Sequence, residues 1–202
     1  LKGELEVETS TEKFDGIDAV RIGSKTQPIL GRKGDDLRIE WGYFYLAAKD
    51  AKVGAQKCEE CGMTVITLEK DIEDETLIAF AYDDIYSVEY FGDRLKSVWN
   101  KDGKTIETAI SEAFGDYEQL AEKAGELDDK LLLDAVKAGG EKYSDMLRLA
   151  FRQAIAAHKA VVDKDGELLF ISKECFSNGC AATVDVSYPS IPMFLIYNPE
   201  LV

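Results

Sequence analysis

The chain has 202 residues, 46% of them hydrophobic and 31% charged, a balance that suits one or two folded domains. Its 39 acidic against 24 basic side chains give a formal net charge of −15, which excludes the basic face that nucleic-acid binding needs. The acidity reads first as a solvated surface, and no apolar run reaches the roughly 18 residues of a membrane span.

No secretory signal pattern opens the chain, and Leu1 stands where an initiator Met would, so a processed product or an excised piece is expected. Residues 1–82 read as β. The stretch Asp36 to Leu46 alternates, with Leu37, Ile39, Trp41, Tyr43 and Tyr45 on one side, after a GRKGDD turn. Met63 to Leu68 and Thr76 to Tyr82 are further strands, the second apolar on both faces and so expected to be buried. Glu4 to Glu8 and Ile17 to Ile22 are weaker strands, and such a meander suits a β-sandwich or a piece of one.

At Asp83-Asp84 the period changes. Ile85, Val88, Phe91, Leu95 and Val98 follow helical spacing, with either aspartate as the cap. Thr105 to Phe114 and Tyr117 to Ala138 predict further helices, the latter broken near Gly125. Gly139-Gly140 then separates them from a helix over about Glu141 to Val162 that is apolar nearly all round. A helix of that kind is buried in a larger assembly. Asp163 to Ile171, with its DKDG turn, predicts a hairpin. The fold class is therefore α+β. A β-rich region over 1–82 precedes a helical region over 83–202 that looks incomplete and expects partner helices.

The four cysteines fall as Cys58-Glu-Glu-Cys61 and Cys175-Phe-Ser-Asn-Gly-Cys180. Zinc held by both pairs is one reading. The pairs lie far apart in different regions, which favours a local Cys58–Cys61 disulfide or free thiols instead, with no metal. A redox site would need the CxxC at a helix N-terminus, and this one sits in a charged turn between strands. His158, the single histidine, reads as a core residue of the long helix. Any Ser-His-Asp or Cys-His arrangement would have to pass through it, and a three-histidine metal site is excluded.

The polar run Ser172 to Tyr188 lies between apolar elements, where binding chemistry tends to sit. It offers Ser172, Lys173, Glu174, Ser177, Asn178, Asp185 and Tyr188. Asp185, between Val184 and Val186, is either desolvated or held by donors, and both situations recur in acid/base sites. The competing readings are a helix cap for Asp185, a surface role for Glu174, and a turn for Asn178-Gly179.

Four segments carry a resemblance: GRKGDDLRIEWGYFYLAA (31–48), AYDDIYSVEYFG (81–92), GGEKYSDMLRLAFRQAIAAHKAVVD (139–163) and SKECFSNGCAATVDVSYPSIPMFLIYNPELV (172–202). Together they resemble the glutaminase A-like proteins of bacteria and fungi, in order and over most of the chain. Cys175 departs from the Asn expected there. The resemblance implies the end of a β-sandwich region followed by the first helices of an α/α toroid of glycoside-hydrolase-like architecture. It implies hydrolysis of L-glutamine to glutamate and ammonia, no cofactor, and an extracytoplasmic setting, with bacterial members frequent among Bacteroides-type organisms.

On that reading Asp185 is the catalytic candidate, as general base or positioner of water, and Asn178 with nearby amides would stabilise the oxyanion. Lys173 or Tyr188 would hold the substrate carboxylate, with Glu174 and Asp84 as further substrate contacts. The alternative is a glycoside hydrolase that uses Asp83, Asp84 and Asp185 as carboxylates and Trp41 or Tyr43 as sugar platforms. A third reading is an inactive piece that associates with another copy or with the rest of its parent. The small-molecule partner is thus glutamine or a sugar.

Overall fold

The computed structural model describes residues 6–31, 39–173 and 180–202. They form two compact units, the first over 6–31 and 39–114 and the second over 115–173 and 180–202. Antiparallel sheets come first and long helices second, so the architecture is α+β as the sequence predicts. Glu174, Asn178 and Cys175 lie outside the described residues.

In the first unit, β1 (Val7–Phe14), β2 (Ile17–Ser24), β3 (Tyr43–Lys49) and β6 (Ala79–Asp83) form one antiparallel sheet in the order β1-β2-β3-β6. β4 (Lys52–Lys57) and β5 (Thr64–Glu69) form a hairpin that packs near β1, β2 and β3. The β2–β3 register sets Ile17 and Ala19 on the same face as Ala47 and Tyr45. That face meets Ile106 and Ile110, with Phe14, Trp99 and Phe114 around them. These two isoleucines belong to the first turns of α1 (Ile106–Gly139), which starts where the Thr105 hydroxyl accepts the Thr108 N–H at 3.3 Å.

Three sequence expectations change here. The strand expected to be buried on both faces is β6, an edge strand whose side chains alternate, leaving Phe80 72% exposed. The helix expected over Ile85 to Val98 is a hairpin, β7 (Val88–Tyr90) with β8 (Asp93–Leu95), followed by a 3-10 segment over Val98–Gly103. Tyr90, Phe91-Gly92 and Asp93 turn it tightly, with positive φ at Phe91 and Gly92, which a helix cannot contain. β4 had no strong sequence signal, because its Lys-Val-Gly-Ala-Gln-Lys run has little apolar alternation.

In the second unit α1 passes through Gly125 unbroken, and its Leu131 and Ala135 are buried. A single glycine costs about 1 kcal/mol against Ala, too little to stop a helix of 34 residues. Gly140 ends it with φ 81 and ψ −178, a region open essentially to glycine alone, and α2 (Glu141–Ala156) begins at once. The two helices are tied by Ser144 Oγ donating to the Leu132 carbonyl at 3.4 Å. α2 stops six residues short of the expected end. Lys159, Ala160, Val161 and Val162 pair instead as β9 (His158–Val162) with β10 (Leu168–Ser172). The expected hairpin is thus present, its turn held by Asp163 Oδ1 accepting the Asp165 and Glu167 N–H groups, each at 2.9 Å. α3 (Val184–Tyr197) follows, with Phe194 buried. α2 leaves Met146 70% and Leu149 59% exposed. Its apolar stripe is therefore not covered by the described residues.

Candidate functional site

The β10–α3 junction gathers most of the sequence-predicted site residues that are described. β10 ends at Ser172, whose carbonyl accepts the Ala182 N–H at 2.7 Å, and Lys173 bridges to Ala181. The Lys173 N–H donates to the Ala157 carbonyl at 2.8 Å, anchoring this corner to the end of α2. Ser172 is buried, and its hydroxyl lies 2.7 Å from that of Ser187 in the second turn of α3. That pair fixes α3 against the hairpin, and it escaped sequence reasoning. Two serines fifteen positions apart carry no local pattern.

Asp185 lies in the first turn of α3 and is exposed, beside Val184 at 68% exposure. The expected apolar surroundings of Asp185 are absent, because its valine neighbours sit on a helix end rather than within a strand. The positive end of the α3 dipole favours its carboxylate. Tyr188 follows three positions on, so it shares that helix face, and it is 70% exposed. Lys173, Asp185 and Tyr188 thus belong to one corner of the second unit.

His158 starts β9 rather than lying inside a helix, directly across the ladder from Ser172. Its ring stacks on Phe170 at 4.6 Å and meets Phe194 edge-on at 5.0 Å. Nδ1 lies 2.6 Å from the Ala154 carbonyl, which only accepts, so Nδ1 carries the proton of that hydrogen bond. The expectation of a core residue inside the long helix therefore changes, since His158 is half-buried and opens a strand.

Asp84 belongs to the first unit, whereas the β10–α3 corner belongs to the second. It caps no helix. Asp83 Oδ1 accepts the Ile85 N–H at 2.9 Å, and the Tyr86 N–H reaches back to the Asp84 carbonyl at 2.5 Å. Ile85 between them has φ 60, a strained value for a β-branched residue. The Asp84 carboxylate is buried and receives the Ser87 hydroxyl at 2.9 and 2.8 Å from its two oxygens. Ser87 in turn lies 2.7 Å from Ser97 Oγ. Since the Ser87 proton is committed to the carboxylate, Ser97 is the donor. Asp84 is therefore engaged within its own loop. The D-x-x-S spacing of Asp84 and Ser87 was the signal that could have found this network.

Trp41, expected as a sugar platform, is buried and donates Nε1–H to the Tyr86 carbonyl at 3.2 Å. Tyr43 is half-buried with the Arg21 guanidinium 4.4 Å over its ring. Trp41 is thus held inside the fold, and Arg21 covers the Tyr43 ring. Burial pushes the Tyr45 phenol up to about 12, with Glu12 adding to the effect. Burial likewise pushes Tyr82 up to about 12, with Asp84 and Asp83 adding to it. Among the described residues no group of three or more His, Cys, Asp or Glu side chains could hold a metal ion. Nor is any helix among them long and apolar enough to cross a membrane.

Sheets followed by a helical hairpin, with the hairpin leading through β9 and β10 into α3, define an α+β chain that opens a helical-hairpin domain. Residues 140–202 match the family model of the glutaminase A six helical-hairpin domain, and residues 62–134 match a domain of unknown function, DUF5127. Over residues 140–202 the chain is thus similar to the glutaminase A family. It is 35% identical over 107 residues to glutaminase A of Aspergillus oryzae, covering 53% of this chain and 15% of that protein. It is 30% identical over 133 residues to a protein of Arthroderma benhamiae named "Probable glutaminase", covering 64% of this chain and 15% of that one. The chain thus spans about 15% of the length of the curated relatives it matches. No solved structure matches it.

Proposed function

We propose that this chain works as part of a longer glutaminase polypeptide that hydrolyses L-glutamine to glutamate and ammonia. The observation that carries the reading is its 35% identity to a protein named glutaminase A. On this proposal the β10–α3 corner contributes to the active site. Amide hydrolysis needs an activated water and donors for the tetrahedral oxyanion. Asp185, exposed at the start of α3, is suited to accept the proton of that water. Tyr188 on the same face and Lys173 at the end of β10 are suited to hold the substrate carboxylate, with Glu174 and Asn178 from the intervening run as further contacts. On this proposal the Ser172–Ser187 pair positions α3. The extracytoplasmic setting belongs to the same proposal.

The test is ammonia release from L-glutamine by the longer polypeptide and its Asp185→Asn variant. General-base loss is expected to cut kcat about a hundredfold or more while the protein stays folded. Unchanged turnover in that variant would remove Asp185 from the mechanism. No turnover of glutamine by the unsubstituted polypeptide would overturn the proposal itself.

A further inference from the structure

The loop that joins β4 to β5 is built unlike an ordinary hairpin turn. The ladder ends at the pair Lys57 and Thr64, leaving Cys58-Glu59-Glu60-Cys61-Gly62-Met63 between. The Cys58 N–H donates to the Met63 carbonyl at 2.8 Å, and the Gly62 N–H donates back to the Cys58 carbonyl at 2.9 Å. The Cys61 N–H points at Cys58 Sγ at 3.3 Å. Gly62 has φ 67, the left-handed value that lets the chain leave the loop directly after Cys61. The result is a C-x-x-C-G knuckle at a hairpin tip, with the Cys61 backbone amide aimed at the first sulfur.

We propose that Cys58 and Cys61 form a bidentate thiolate site for a thiophilic divalent cation of the zinc class. Backbone N–H groups directed at a sulfur stabilise it in the anionic form that binds metal, and the i, i+3 spacing places the second sulfur beside it. Binding releases the two thiol protons and forms two metal–sulfur bonds, so no oxidant or reductant is involved. Cys61 is exposed and Cys58 half-buried, so the remaining tetrahedral positions are open to water or to a ligand from outside the loop. The electrostatic setting separates this from a dithiol serving disulfide exchange. Glu59 and Glu60 flank the sulfurs, both exposed, on a chain of net charge −15. That field attracts a cation and repels an anionic thiol oxidant such as glutathione disulfide.

The test is a titration of the intact chain with Cd2+ under mild reductant, followed by the ultraviolet thiolate-to-cadmium charge-transfer band, with Zn2+ as competitor. The band should saturate at one ion per chain and be displaced by Zn2+. Cys58→Ser and Cys61→Ser should each weaken binding about tenfold or more, whereas Cys175→Ser and Cys180→Ser should leave it unchanged. Gly62→Ala isolates the knuckle, because an added Cβ would meet nothing within 4 Å and only the left-handed φ is penalised. Binding should fall about fivefold there. No band in the unsubstituted chain would overturn the proposal, as would a band indifferent to Cys58 and Cys61. So would a Cys58–Cys61 disulfide that persists under the reductant.

Discussion

Ser87→Ala should be among the more damaging single substitutions in the first unit, although it removes one atom. Ser87 is 4% exposed and stands between a carboxylate and a second hydroxyl. Its loss leaves the Asp84 carboxylate short of one donor and the Ser97 hydroxyl without its acceptor. A hydrogen bond to a charged group contributes about 1.5–3 kcal/mol, and a buried hydroxyl left unpaired adds about 1 kcal/mol, so a loss of about 2.5–4 kcal/mol is expected. Ser97→Ala keeps the bond from Ser87 to Asp84 and should cost only about 0.5–1.5 kcal/mol. Both tryptophans of the chain, Trp41 and Trp99, lie in the first unit, so urea unfolding followed by tryptophan fluorescence reports on this network. A Ser87→Ala loss within about 0.5 kcal/mol of zero, or a larger loss in Ser97→Ala, would refute the assigned direction of the hydrogen bonds.

Two further outcomes follow from the same unit. Tyr45 is 3% exposed and its folded phenol is pushed up to about 12 from its ordinary 10, so the neutral form is favoured by folding. Stability from this group is therefore fully present below pH 10 and is lost as the pH rises from 10 towards 12. Tyr45→Phe should flatten that part of the alkaline stability profile, and an unchanged profile would contradict the burial effect. Gly42→Ala should cost about 3 kcal/mol or more in urea unfolding, because Gly42 has φ 86 and an added Cβ would run into the Asp83 carbonyl. A near-neutral result would mean that the Asp83–Asp84 loop yields easily.

How far the sequence reached depends on whether a segment is fixed by local period or by distant pairing. The order of sheets before helices was legible because Tyr45 and Ala47 alternate and α2 repeats at helical spacing. The Gly139-Gly140 break was legible because only glycine takes the conformation found at Gly140. The segment over Ile85 to Val98 misled because its apolar residues happen to recur every three or four positions. Strand pairing of Val88 with Leu95 overrode that pattern. His158 was placed in a helix for the same reason, since only pairing with β10 makes its neighbours a strand. At the candidate site, Asp185, Lys173 and Tyr188 could be named from residue type within one polar run. Nothing local could show that Asp185 is exposed at a helix start, or that Ser187 reaches back to Ser172. The Asp84 carboxylate is buried and receives the Ser87 hydroxyl, which residue type alone could not show.

Ammonia release from L-glutamine, run side by side on this chain and on the longer polypeptide proposed to carry it, tests the central reading most directly. The account predicts release by the longer polypeptide and its loss in Asp185→Asn. Absence of release by the longer polypeptide, with the fold intact, would contradict the assignment of glutaminase chemistry to this chain.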